Sequence, residues 1–189
     1  MFLLGHLGLT LALVVWPLRR RLPRRVDYRI LLVGALLPDL IDKPLSLILG
    51  VGGRAVAHTL LFALALSLLF LLLRSRAVSS RCQIFGTAIL LALAIGTWTH
   101  LILDRMWMQP EILLWPFLGL PFPPDLFDPF NLLEGYRDPY VLIGDILGAL
   151  VLGYLGWRHR IYRVTNFLRF LREGRLEREE APFNLAGRG

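Results

Sequence analysis

The sequence predicts an all-α fold: a polytopic membrane bundle of about five transmembrane helices with an external re-entrant or lid segment. Three observations carry that expectation. The 189 residues are 56% hydrophobic and only 19% charged, with a mean hydropathy of +0.58, more apolar than a soluble domain of this length. Apolar runs of about 17–20 residues recur, enough to cross a hydrocarbon core near 30 Å thick. The basic residues gather in alternate connections between those runs, as the positive-inside rule requires.

Five spans follow in order: Phe2–Leu18, Ile30–Leu49, Ala55–Leu73, Ile84–Leu103 and Tyr140–Trp157. Each is read as a helix because lipid offers no partner to an unsatisfied backbone amide or carbonyl. The cluster RRRLPRR follows the first apolar run instead of preceding it, unlike a cleaved signal peptide. Between the fourth and fifth spans, Arg105 to Pro139 is rich in Pro, Trp and Phe and has no sustained period. Its prolines preclude one long helix, and Trp107, Trp115 and Phe117 suit the headgroup level. Residues 1–157 form the membrane domain with its polar site, and 158–189 a basic cytoplasmic tail. The lone Cys82 excludes an internal disulfide.

Charge sets the expected sidedness. Connections 19–29 and 74–81 and the tail after Trp157 hold 17 of the 21 basic residues; the other side holds Lys43, Arg54, Arg105 and Arg137. The N-terminus is thus expected outside and the C-terminus in the cytoplasm, in the plasma membrane of a prokaryote. The tail RHRIYRVTNFLRFLREGRLEREE reads as an amphipathic helix on anionic headgroups. That accounts for the net charge of +7 without a nucleic-acid partner; lipid is the environment and a possible substrate.

The informative residues are the charges inside the apolar runs. A charge at mid-bilayer costs about 2.5–3.5 kcal/mol even on lenient scales, so it marks function by default. His6 opens the first span. Asp39 and Asp42 lie in the outer half of the second, three residues apart on one face, beside Pro38, which kinks the helix and frees a carbonyl. Arg54 and His58 open the third span at i,i+4; His100 and Asp104 close the fourth at i,i+4; Asp145 lies in the outer third of the fifth. All fall at one depth on one side, as a shared pocket requires.

Imidazole nitrogen with carboxylate oxygen suits Zn, or Mn or Fe(II). His6, Asp39, Asp42, His58, His100 and Asp104 supply six ligands, enough for one ion or for two sharing a carboxylate. A cation also neutralises acids otherwise buried unpaired, and an open site acidifies its bound water toward neutral pH. Asp42, if not a ligand, is the candidate general base, and Arg54 the group for a substrate phosphate. Bland readings stand beside these: Asp39 and Asp42 as structural ion pairs with Lys43 or Arg54, Asp145 as a bond to a neighbouring helix, and His159 as surface. A non-enzymatic protein with a closed structural metal, or a divalent-cation transporter, is the alternative function.

At these residues the chain resembles the YdjM-type family of membrane-bound, metal-dependent hydrolases. The matching pieces, within residues 1–120, are His6, GALLPDLID (Gly34–Asp42), GRAVAHTLLF (Gly53–Phe62), THLILD (Thr99–Asp104) and WPF (Trp115–Phe117). Members often carry a His where this chain has Gly53. The order His, Asp, His, HxxxD is also similar to zinc-dependent phospholipase C and single-strand nuclease proteins. Those cleave phosphodiesters on a zinc cluster whose later His and HxxxE ligands are missing here. The resemblance implies an integral membrane hydrolase with one or two ions. Its substrate would be a phosphoester or related bond in a lipid or lipid-linked molecule at the extracytoplasmic face.

Overall fold

Helices account for nearly all of the regular structure. A computed structural model describes residues 2–18, 27–49, 53–75, 81–120, 122 and 135–175. The long helices are α1 (Leu3–Leu18), α2 (Tyr28–Leu49), α3 (Leu60–Ser75) and α4 (Arg81–Leu103). After the short α5 (Pro110–Leu113) come α6 (Pro139–Arg158) and α7 (Val164–Glu173). No strand occurs among the described residues.

Two of these helices, over Phe85–Leu103 and Pro139–Arg158, are long and apolar enough to cross a membrane. The expectation of about five is corrected to that number on physical grounds. At 16 residues each, α1 and α3 rise only about 24 Å, short of a core near 30 Å. Helix α2 has 22 residues but carries Arg29, Asp39, Asp42 and Lys43. The third span also starts later than expected. Residues 56–58 form a separate 3₁₀ turn before α3 begins at Leu60, so Arg54 and His58 do not share an α-helical face.

The packing brings one end of each long helix together. Gly34 lies against Leu93, and Gly96 against Leu31 and Ala35, so α2 and α4 run parallel with their backbones in contact. Ser67 and Ala63 of α3 meet Trp98 and Leu101 of α4 in antiparallel order. Helix α1 runs parallel to α6: Phe2 packs on Tyr136, Gly5 bonds Asp145, and Gly8 abuts Gly148. Small residues allow such approaches, which in lipid replace the hydrophobic effect with close van der Waals packing. A Cβ on Gly148 would fall on the Leu4 carbonyl, backbone that cannot move aside. Gly148→Ala is therefore expected to destabilise the bundle by about 1–3 kcal/mol, the usual cost of overpacking. The readout is the thermal midpoint in detergent; an unchanged midpoint would mean that α1 and α6 are not in contact there.

Two features flank the core. Pro38 lacks the amide that would bond Gly34, yet α2 continues through it. The Thr97 hydroxyl lies 3.5 Å from the freed Gly34 carbonyl. At the opposite end, α7 places Val164, Phe167, Leu168 and Leu171 on one face, all exposed. Gly174, at φ +67°, ends α7 in the left-handed region that favours glycine. Its carbonyl accepts the Tyr28 amide at 2.8 Å, and Arg29 Nη1 bonds the Leu171 carbonyl. Burial raises the neighbouring Asp27 carboxyl, but Arg29, through hydrogen bonds and charge, more than offsets this and holds it below the usual carboxylate value.

Several sequence expectations fall on residues outside this description: most of connection 19–29, residues 76–80, and the tail beyond 175. Of the external segment, 105–120 is described as a 3₁₀ turn over 106–108, α5 and turns. Residues 121 and 123–134 lie outside the described residues.

Candidate metal centre

Three imidazoles meet at the end of the bundle where α1, α2, the 56–58 turn and α4 converge. His6, His58 and His100 are all fully buried. The His6 and His100 rings stack at 4.0 Å between centroids, and His58 meets His100 edge-on at 5.0 Å. His58 Nε2 lies 3.1 Å from His100 Nε2. Asp39 Oδ1 lies 3.6 Å from His58 Nε2 and 3.9 Å from His100 Nε2. Asp104 Oδ1 lies 3.1 Å from His6 Nε2.

The tautomers follow from the partners. His100 Nδ1 lies 2.7 Å from the Ala35 carbonyl, and His58 Nδ1 lies 2.7 Å from Asp42 Oδ2. Both partners only accept, so both Nδ1 atoms carry the proton. In the neutral rings each Nε2 then presents a lone pair, and the two lone pairs face each other across 3.1 Å. Two acceptors at that separation repel unless something positive lies between or beside them. His6 repeats the theme: its Nε2 lies 3.1 Å from Asp104 Oδ1, but among the described residues neither ring nitrogen has a partner in good hydrogen-bond geometry. A buried imidazole left unsatisfied is costly, and a cation relieves all of these strains at once.

Two triads have ligand atoms within 4.8 Å of one another: His6, Asp39 and His100, and His58, His100 and Asp104. They share His100, which has only Nε2 to offer because Nδ1 is committed to Ala35. The triads are thus overlapping halves of one site. The donor set, three imidazoles and two carboxylates, fits a borderline divalent ion.

The remaining charges hold the donors in place. Lys43 Nζ takes Asp39 Oδ2 at 2.7 Å, leaving Oδ1 toward the histidines. Arg54 grips Asp104 Oδ2 through Nε at 3.0 Å and Nη2 at 2.8 Å, leaving Oδ1 toward His6. The Asp104 side chain is 4% exposed, against 33% for Arg54.

Asp42 lies elsewhere than the spacing of the two aspartates suggests. It is fully buried behind His58 and belongs to neither triad. Its oxygens accept the amides of Ala55 at 2.7 Å, Ala57 at 3.0 Å and His58 at 3.1 Å, besides the His58 ring. Beside the ligand and general-base roles expected from the sequence, these bonds give Asp42 a positioning one: it accepts from the His58 ring and from the amides of the turn that carries it. Those same bonds produce the tight 3₁₀ turn. Asp145 is likewise a helix-to-helix bond. Oδ1 accepts the Gly5 amide at 2.9 Å, one residue before His6, and Oδ2 accepts the Tyr136 hydroxyl at 3.1 Å.

A family model described as YdjM inner membrane protein matches residues 1–165. The chain belongs to this family. The match runs beyond the motifs of residues 1–120 into α7, and with the two apolar helices it makes this a membrane protein. Within that range, the titratable side chains of the segments read from the sequence, from His6 to Asp104, lie in or against the cluster. No curated protein and no solved structure matches the chain.

Sequence reasoning did not find the cleft beside the cluster. About 270 Å³ in volume, it is bordered by Arg54, Asp104, Arg105, Gln109, Asp138 and Tyr140. Those residues come from segments far apart in sequence: Arg54 and Asp104 were singled out there, but nothing marked Arg105, Gln109, Asp138 and Tyr140 as their neighbours.

Proposed function

We propose that this YdjM-family protein is an integral membrane metal-dependent hydrolase, holding a single ion of the zinc class. The ion would be held by His6, Asp39, His58, His100 and Asp104. The substrate is a phosphoester or related bond in a lipid or lipid-linked molecule. The observation that carries the reading is the pair of facing Nε2 atoms whose Nδ1 protons are already committed. A bound zinc ion supplies Lewis acidity and acidifies water toward neutral pH.

The chain's own residues do the rest. Asp42 and the Ala35 carbonyl fix the tautomers of His58 and His100, as acceptors behind metal-bound imidazoles generally do. Lys43 and Arg54 each occupy one oxygen of a carboxylate and aim the other inward. Arg54, one-third exposed and bordering the cleft, is placed to bind substrate oxygen and to stabilise developing negative charge. The arginines of connections 19–29 and 74–81 and of the tail support an extracytoplasmic position for the cluster, at the outer end of α4, and a cytoplasmic one for α7 on the headgroups.

A closed structural metal is the second reading, favoured by the complete burial of the three histidines. Transport fits less well. Inward of the cluster come the hydroxyls of Thr10, Thr97 and Thr99, then an apolar core of Leu11, Val14, Leu31 and Ala92. Among the described residues no acidic, basic or histidine side chain lines that core, and Tyr28 is its one polar neighbour.

Detergent-purified, zinc-loaded protein is expected to hydrolyse a phospholipid or lipid-linked phosphoester. At saturating zinc, which offsets the looser hold on Asp104, Arg54→Ala should lose activity on the order of 100-fold, the cost of removing one charge-stabilising donor. Arg54→Lys, retaining charge without the fork, should fall between. Full metal retention with no turnover of phosphomonoester or phosphodiester lipids would favour the structural-metal reading instead.

A further inference from the structure

We infer that the cleft beside Asp104 is a phosphate-binding subsite in which Arg105 and Arg54 are the recognition residues. The inference rests on the hydrolase reading only for the idea that the bound group is part of a substrate. Arg105 has φ +52°, a left-handed backbone rarely adopted outside glycine and costing about 1–3 kcal/mol where surroundings enforce it. That conformation turns the guanidinium over the Tyr140 ring at 3.6 Å, with Nη2 3.0 Å from Asp138 Oδ2. Tyr140 is itself fixed, its hydroxyl donating to the Leu103 carbonyl at 2.7 Å. Arg105 is thus held at the cleft by a stacked ring and by a carboxylate that is 48% exposed. An ion pair that exposed is weak, so an anion with more oxygens can displace Asp138.

Charge points the same way. Around the cluster Asp39, Asp42 and Asp104 are opposed by Lys43 and Arg54, with Arg105 and Asp138 cancelling each other at the rim. A divalent ion turns that excess of one negative charge into an excess of one positive charge, which an anionic ligand completes. Two guanidinium forks on one cleft match the planar edges of a phosphate, which each fork can grip bidentately. Gln109 adds a hydroxyl acceptor. Among the described residues its Oε1 is buried without a hydrogen-bond partner at the cleft wall, suited to the hydroxyl of a polyol attached to the phosphate.

The headgroup of a membrane lipid is the source that the surroundings favour. Met108 lines the cleft, and with Trp107, Phe117 and Leu120 it makes the 106–120 segment an exposed apolar shelf, Phe117 at 84% exposure. Exposed aromatics at a helix exit are typical of the membrane interface. Acyl chains lying on that shelf would deliver a headgroup phosphate to the two arginines.

The test is calorimetric titration of the detergent-solubilised protein, metal-loaded and metal-stripped. The probes are inorganic phosphate, a short-chain phosphatidic acid and the phosphatidylcholine of equal chain length. Wild type is expected to bind phosphate, and Arg105→Gln to bind it at least about tenfold more weakly with unchanged metal content. Arg105→Lys should recover part of the loss, which separates recognition from misfolding. Phosphatidic acid binding more tightly than phosphate identifies a lipid headgroup; equal affinities identify a free phosphate group, and the subsite stands in both cases. Equal phosphate affinity in Arg105→Gln and wild type, or no binding to wild type, overturns the proposal. Arg105-dependent phosphate binding without phosphoester turnover would retain the subsite and remove the hydrolase. Turnover undiminished in Arg105→Gln would do the reverse.

Discussion

His100→Ala is expected to retain less than about a tenth of the metal carried by wild type at equal free zinc, since even outer-shell losses cost 10–100-fold in affinity. No other side chain belongs to both triads. Its Nε2 faces that of His58 at 3.1 Å, and its ring forms the stack under His6. Removing it leaves His6, Asp39, His58 and Asp104 too dispersed to close around an ion. The loss should also register as stability. A ligand at 100 times its dissociation constant stabilises the native state by about 2.7 kcal/mol. Added zinc should therefore raise the wild-type melting midpoint and leave that of His100→Ala unmoved. Metal content by mass spectrometry, beside melts with and without zinc, makes the comparison. Equal metal in both proteins would remove the site altogether and leave the aspartates as structural ion pairs.

Asp42→Asn is expected to separate positioning from ligation. The substitution preserves shape but turns one acceptor oxygen into a donor facing the amides of Ala55, Ala57 and His58. A buried polar group left without a partner costs about 1–3 kcal/mol, so the 56–58 turn should loosen and the melting midpoint fall. The His58 ring loses its anionic acceptor at Nδ1, with the usual 10–100-fold cost in metal affinity. Competition against a chromophoric chelator measures that factor. Asp42→Asn holding zinc as tightly as wild type would mean that His58 is oriented by packing alone. Metal binding that saturating zinc does not restore in Asp42→Asn would return Asp42 to the ligands themselves.

Much of this architecture was legible before any coordinates. The ends of α2 and α4 lie close to where the apolar runs placed them, because the residues that break those runs are local signals. His6, Asp39, His58, His100 and Asp104 were read as neighbours from depth alone, and they are neighbours. What could not be read was non-local. Asp39 and Asp42 are indistinguishable by spacing, and only packing turns one toward the histidines and the other toward three backbone amides. The same amides shorten α3, since a turn organised by a carboxylate 13 to 16 residues upstream leaves no periodicity. The pairing of α1 with α6 did have a trace, in Gly5 and Gly8 against Gly144 and Gly148, but small residues in apolar runs rarely name their partner. Charge and hydropathy, finally, marked five apolar runs, whereas crossing length and low charge hold together only for α4 and α6.

The donors come from α1, α2, the turn before α3 and the end of α4. During synthesis, therefore, no ion can be fully held until residue 104 has left the ribosome and the fourth helix has docked beside the second. Until then Asp39 must wait in a nascent, half-inserted chain with Lys43, on the next turn of its own helix, as its counter-charge. Lys43, the chain's single lysine, thus gives that acid a counter-charge within its own helix before the helix that completes its site arrives.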